Sequence, residues 1–139
     1  MKKYLILLII YLLAVASAFA QSNHSSNNIN GIYWSPKKDA KIEIYQKAGH
    51  YYCKTIWMAT PGKDKKNPKK LFRDRELLGL DLLTDFAFDD GTWFGGEVYD
   101  PESGNTYDCI MTLKGDQLKV SGYVGISMFG RTEYFQRIK

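Results

Sequence analysis

Seven cations crowd one short stretch of this chain: Lys63, Lys65, Lys66, Lys69 and Lys70, with Arg73 and Arg75 just after them. At that density the Lys63–Lys70 loop could hold an anionic envelope component, such as lipid head groups, acidic glycans or a cell-wall polymer. The plainer reading is a solvated loop that keeps one end of the fold soluble. Aromatic side chains are also plentiful. Trp34, Trp57, Trp93, Tyr99, Tyr107, Tyr123 and Phe135 all fall in segments that read as strands. In a small barrel they could line a cavity, with tyrosine hydroxyls and an arginine fixing the polar end of a small apolar or amphipathic molecule. As plain core they need no ligand. The candidate binding residues are Trp57, Arg73, Arg75, Trp93, Tyr99, Tyr107, Tyr123 and Arg131. The arginines are included because a charge beside an apolar barrel must find a partner. Pairing with Asp74, Glu97 or Asp100 is the structural alternative.

Catalytic constellations are thin. The chain carries no GxSxG, no HExxH and no glycine loop ending in Lys-Ser/Thr; each of those motifs would place a nucleophile, a metal or a phosphate. Of the two histidines, His24 lies in a polar stretch and His50 in an expected turn. Asp89-Asp90 and Asp81 with Asp85 are acid pairs, but an Asp-Gly turn uses aspartate for backbone reasons. No catalytic residue, metal set or cofactor is expected, and the chain reads as a binding or structural protein rather than an enzyme. Cys53 and Cys109 lie 56 positions apart, and no CxxC occurs. In an oxidising compartment they could pair, which would stabilise the fold by about 4 kcal/mol in the chain-entropy account. Two buried free thiols are the simpler reading.

The elements that must position these residues are strands. Lys41 to Tyr45 alternates apolar and polar, and Tyr51 to Met58 is aromatic and β-branched,. Asp90-Gly91 marks a hairpin, because both residues tolerate positive φ. Thr92–Tyr99, Thr106–Leu113, Gln117–Val124 and Thr132–Ile138 continue the pattern. With Gly31–Trp34 and part of Leu77–Phe88, about eight strands result. Short antiparallel strands in sequence form a meander, and closing it removes two exposed edges. Phase puts Ile42, Ile44, Cys53, Thr55, Trp57, Tyr107, Cys109, Met111, Leu118 and Val120 inward. Gly95-Gly96 interrupts its strand and marks a bulge or bend, which leaves the phase of Trp93, Glu97 and Tyr99 open. Asn67-Pro68 predicts a short helical turn over about 69–74, with Asn67 as cap. That turn could plug one end of the barrel.

Residues 1–20 read as a signal peptide: Lys2 and Lys3, an apolar run from Tyr4 to Ala16, then Ala18-Phe19-Ala20 before polar Gln21,. The run is short for a membrane span, and none is expected after cleavage. Residues 21–30 read as a disordered linker, and residues 31–139 as one barrel domain. Losing two lysines leaves 17 basic against 15 acidic residues, a net charge of +2. That near-neutral balance in an exported chain argues against a nucleic-acid partner. The expected location is periplasmic or secreted.

Four blocks carry a family resemblance: Gly31-Ile32-Tyr33-Trp34; Lys66-Asn67-Pro68 with Leu71-Phe72-Arg73-Asp74-Arg75 and Gly79-Leu80; Trp93 to Pro101 with Ser103 to Tyr107; and Gly122-Tyr123-Val124-Gly125 with Phe129-Gly130-Arg131-Thr132. Together they resemble the secreted bacterial family labelled domain of unknown function 2147, across nearly all of residues 31–139. Lys69 stands where that family usually has an acid, and Phe135 near where it usually has Trp. The resemblance implies a small closed β-barrel of the lipocalin and streptavidin kind and supplies no established activity. Two functions remain: a barrel that binds a small apolar or amphipathic ligand, or an envelope structural or interaction module with a filled core.

Overall fold

Each strand pairs with the next in the chain, and the last returns to the first. The computed structural model describes residues 29–123 and 131–139. The expected leader, the expected linker up to residue 28, and residues 124–130, which include part of the last family block, lie outside the described residues. The strands are β1 (Gly31–Trp34), β2 (Ala40–Lys47), β3 (His50–Met58), β4 (Asp81–Asp89), β5 (Thr92–Asp100), β6 (Asn105–Lys114), β7 (Gln117–Tyr123) and β8 (Thr132–Arg137). All neighbours are antiparallel, and β8 closes on β1 through Tyr33 opposite Arg137 and Trp34 opposite Gln136. The expected eight-stranded meander barrel therefore forms, with no sheet edge left open. Asp90 and Gly91 have φ of 45° and 77°, as an Asp-Gly hairpin requires. Among the described residues no helix is long and apolar enough to cross a membrane.

Alternation fills the interior. Ile42, Ile44, Cys53, Thr55, Cys109, Met111, Leu118 and Val120 are buried, as their phase predicts. The bulkiest fully buried side chains are Tyr33, Tyr51 and Phe86. Bulges reset the phase: the β3–β4 ladder shifts register on either side of Cys53, and two further bulges bear on the candidate residues. Between β2 and β3 the register passes from Lys41–Trp57 to Ile42–Thr55, so Ile56 is an extra residue. Between β5 and β6 it passes from Trp93–Met111 to Gly96–Cys109, with one residue extra on β5. Gly95, at φ 77°, supplies the left-handed conformation that this bulge needs.

The linker expectation is too long by at least one residue. Ile29 is fully buried, and its carbonyl accepts the Tyr33 hydroxyl at 2.7 Å. As the lone apolar side chain in a polar stretch, Ile29 is the one that gains by entering the core. The Tyr33 oxygen in turn accepts Arg137 Nη2 at 2.6 Å, and the guanidinium lies 5.2 Å from the ring centre. Burial raises the Tyr33 pKa, with Arg137 opposing the rise. Tyr33 thus ties the N-terminal end to both β1 and β8. Tyr33→Phe keeps the ring and removes these bonds, so denaturant unfolding should show a loss of about 1–2 kcal/mol; an unchanged midpoint would remove Tyr33 from this role.

The disulfide alternative does not form. Both thiols are free and buried. Cys53 faces Ile44 and Leu83 across its ladders, and Cys109 faces Gly96 and Gly122. Two strands, β4 and β5, separate them around the barrel. Burial pushes both thiols up, Cys109 to about 12, so little thiolate is available to react. The expected intact mass is that of the dithiol, with alkylation slow until denaturant is added. A two-hydrogen mass deficit without reductant would contradict the structure.

Candidate functional site

The eight sequence candidates divide among three places. Trp93 is inside, 3% exposed, against Phe88 at 4.6 Å and Tyr51 at 6.1 Å between ring centres. Its indole nitrogen is buried and has no hydrogen-bond partner among the described residues. Tyr107 also points inward, on the face of Cys109 and Met111, and is half-buried. Its hydroxyl accepts the Asn105 side-chain amide at 3.3 Å. Arg131 lies at the rim of that same end and pairs with Glu133. Glu133 sits opposite buried Val120, so it too faces the lumen. Arg131 therefore has an acid partner, but not one of the three expected.

Trp57 and Tyr123 are elsewhere. The Ile56 bulge turns Trp57 outward, where it is 42% exposed. There it meets Trp34 edge-on at 5.8 Å, and Lys41 Nζ lies over both rings. Tyr123 pairs in register with exposed Asp108, which places it on the outer face, away from Cys109. These are corrections to the inward expectation.

Arg73, Arg75 and Tyr99 come together outside the barrel. The β3–β4 connection, residues 59–80, runs as a strap along the outer wall rather than plugging an end. Asp64 N–H donates to the Arg75 carbonyl at 3.0 Å and Leu77 N–H to that of Gly62 at 3.0 Å, with a bridge between Lys63 and Glu76. A 3-10 turn forms at Lys70–Phe72 inside the expected span, but Lys69 caps it, without a side-chain bond. Asn67 has another task. Its Oδ1 accepts Lys69 N–H at 2.9 Å, its carbonyl accepts Arg73 Nε at 2.8 Å, and its amide donates to Asp64 at 2.8 Å.

At the centre of the strap is Asp64, the one acid between Thr60 and Leu71 and fully buried. Arg75 donates to its Oδ2 from Nε at 2.9 Å and Nη2 at 2.8 Å, and the Tyr99 hydroxyl donates to Oδ1. Val98 packs against the core, so Tyr99, the next residue, points out; the Gly95 bulge sets this phase. Burial would raise the Asp64 carboxyl, but the bonds from Tyr99, Asn67 and Arg75 outweigh it and hold the pKa below 3.8. For Tyr99, burial and then the Asp64 charge raise the phenol. Sequence reasoning missed Asp64. Its one signal was being an acid within a basic run. The strap meets the β5–β6 turn at Gly104, at φ 77°, where a β-carbon would overlap the Lys66 carbonyl. Much of the second and third sequence blocks is thus accounted for by seating the strap.

Between strap and wall lies an open cleft of about 270 Å3, lined by Lys69, Phe72 and Arg75 on one side and Asp81, Thr84, Glu97 and Thr106 on the other. Among the described residues no group of three or more His, Cys, Asp or Glu is placed to hold a metal.

A family described as "Uncharacterized protein conserved in bacteria (DUF2147)" matches residues 31–137. No curated protein matches the chain. A solved structure titled "Protein HP1028 from the human pathogen Helicobacter pylori belongs to the lipocalin family" is similar, with a TM-score of 0.72 and 23% identity over 80% of this chain and 83% of that one. At that identity the likeness speaks for the fold. The meander closed by β1 and β8, the strap blocks and the span matched agree: the chain belongs to the DUF2147 family, built on a lipocalin-like barrel.

Proposed function

We propose that the protein is exported and that its barrel takes up one small apolar or amphipathic molecule through the end bearing the β5–β6 turn. The carrying observation is the uneven filling of the lumen. Toward the β2–β3, β4–β5 and β6–β7 hairpins, Tyr51, Trp93, Met111 and Leu118 pack the interior. Toward the other end small or polar inward residues, Thr55, Cys109, Gly122 and Tyr107, share the lumen with Ile42, Leu83 and Val98, and Arg131 and Glu133 stand at the rim. A β-carbon at Gly122 would reach Tyr107 only at 3.8 Å, so the wall there is not crowded. A ligand's apolar part would lie between Tyr107 and Trp93, with its polar end at Arg131. The unpartnered Trp93 indole N–H would donate to an acceptor on the ligand or to a buried water. The lipocalin-family likeness and the leader-like residues 1–20 support the reading. The exposed lysines of the strap support a further contact with an anionic envelope component; Lys65, Lys66 and Lys69 changed together to Ser should leave folding intact and weaken adhesion to anionic vesicles.

Native mass spectrometry of protein taken from its host's own envelope tests the main reading. The expected spectrum holds a small-molecule adduct that unfolding releases, and Tyr107→Ala should lose it. The dense packing of Tyr33, Tyr51 and Phe86 favours the second reading, a filled barrel serving as an interaction module. A bare mass, together with tryptophan fluorescence unmoved by a long-chain fatty acid, would decide for it.

A further inference from the structure

The cleft under the strap is a cavity outside the barrel that a ligand in the lumen would not touch. Its volume of about 270 Å3 is the room of about nine water molecules. Its two sides carry opposite charge. Lys69 and Arg75 come from the strap, and Asp81 and Glu97 from the wall. Flexible side chains of opposite sign commonly close onto one another across a gap, yet among the described residues no ion pair bridges this one. The bonds of Asp64, which latch the strap to the wall, explain why. Arg75 is held by Asp64 through Nε and Nη2 and stacked over Phe72 and Tyr99 at 4.9 and 5.7 Å. Strap and wall are therefore fixed apart before anything binds, and such preorganisation favours a ligand.

Glu97 supplies an independent observation. It stands directly opposite Asp108 on the outer face, a like-charge pair that destabilises a sheet. Glu97 has no cation partner among the described residues. Both oxygens of Asp81 accept the Tyr45 hydroxyl, at 2.8 and 3.0 Å. An ammonium group in the cleft would relieve the repulsion at Glu97. The half-exposed edge of Arg75 and the Lys69 ammonium wait on the opposite side for an anion.

We infer that this cleft binds a small zwitterion carrying an ammonium and a carboxylate, as a free amino acid or a short peptide does. The ammonium lies against Glu97 with the Thr84 and Thr106 hydroxyls nearby, and the carboxylate lies against Lys69 and Arg75. The volume favours the peptide.

Titration of isotope-labelled protein with L-alanine and with L-alanyl-L-alanine tests this at the backbone amides of Lys69, Thr84 and Thr106. Expected are saturable shifts at all three, tighter for the dipeptide, with the Trp93 indole resonance unmoved. N-acetylation of the dipeptide and amidation of its carboxyl should each weaken binding about tenfold, as should Glu97→Gln, an outward substitution that leaves the core untouched. The inference is overturned if neither compound moves these amides at about 20 mM, or if the doubly blocked dipeptide binds as well as the free one. Shifts at Trp93 instead would place the compound in the barrel, overturning the cleft while supporting the lumen reading.

Discussion

Asp64→Ala will destabilise the protein by about 3 kcal/mol, and the strap will open before the barrel does. Asp64 is fully buried while carrying charge, and it accepts bonds from Arg75, Tyr99 and Asn67. Removing one partner of a buried ion pair costs about 3–5 kcal/mol when the other is left stranded. Arg75 is 35% exposed and can turn partly to water, which argues for the lower end. The damage will be local first. The strap is fastened to the wall by Asp64, by the Lys66–Gly104 approach and, at its far end, by backbone bonds of Gly79 and Leu80 to Thr55, while the barrel ladders do not run through residues 61–78. Hydrogen exchange should therefore quicken at amides in residues 61–78 well before it does in β6 and β7. Equal acceleration in strap and barrel would show that Asp64 supports the whole fold rather than a latch.

Asp64→Asn separates charge from shape. The asparagine keeps one acceptor oxygen but cannot ionise. The folded carboxyl is held below its ordinary value, 3.8, so its contribution is complete above that value and lost as pH falls through the lower folded one. The stability gap between the natural protein and Asp64→Asn should thus be constant near neutrality and narrow below about pH 4. A gap that stays level down to about pH 2 would mean that the Asp64 carboxyl titrates in the folded protein as it does in the unfolded chain, and so is not held down by its partners.

How much of this was legible in the sequence depends on how local the cause is. Ile42 with Ile44, Cys109 with Met111, and Leu118 with Val120 face inward because period-two alternation is written in adjacent residues. The Asp90-Gly91 hairpin is equally local. Trp57 went wrong because its orientation depends on how β3 slides past β2. The extra residue Ile56 appears only once Lys41 and Ile42 have chosen partners, and nothing in Tyr51–Met58 marks it. Tyr99 was readable in part: Gly95-Gly96 announced a break, but not which glycine would carry it. Asp64 was hidden most deeply. Its surroundings are basic and polar, so composition says exposed, and its burial is made by Tyr99, 35 positions away in sequence. The cleft inherits that difficulty, since it exists only where the strap folds back onto strands formed later in the chain.

Alanine at Gly96 will cost far more than alanine at Gly95, although the two are neighbours. Gly95 has φ 77° and open space where a β-carbon would go, so Gly95→Ala meets only the conformational penalty, about 1 kcal/mol. Gly96 has no such φ. There a β-carbon would overlap the Phe86 ring and the Thr84 carbonyl. A ring can turn aside, but a carbonyl belongs to the β4 ladder and cannot move without breaking it. Gly96→Ala should therefore cost about 3 kcal/mol, the upper range for overpacking. Adding Phe86→Leu tests which obstacle dominates. If the ring is the main one, the double variant will be more stable than the sum of the single losses by about 1 kcal/mol or more. Strict additivity would assign the clash to the Thr84 backbone, and a Gly96→Ala protein as stable as Gly95→Ala would mean that β4 and β5 do not pack as closely as the structure has them.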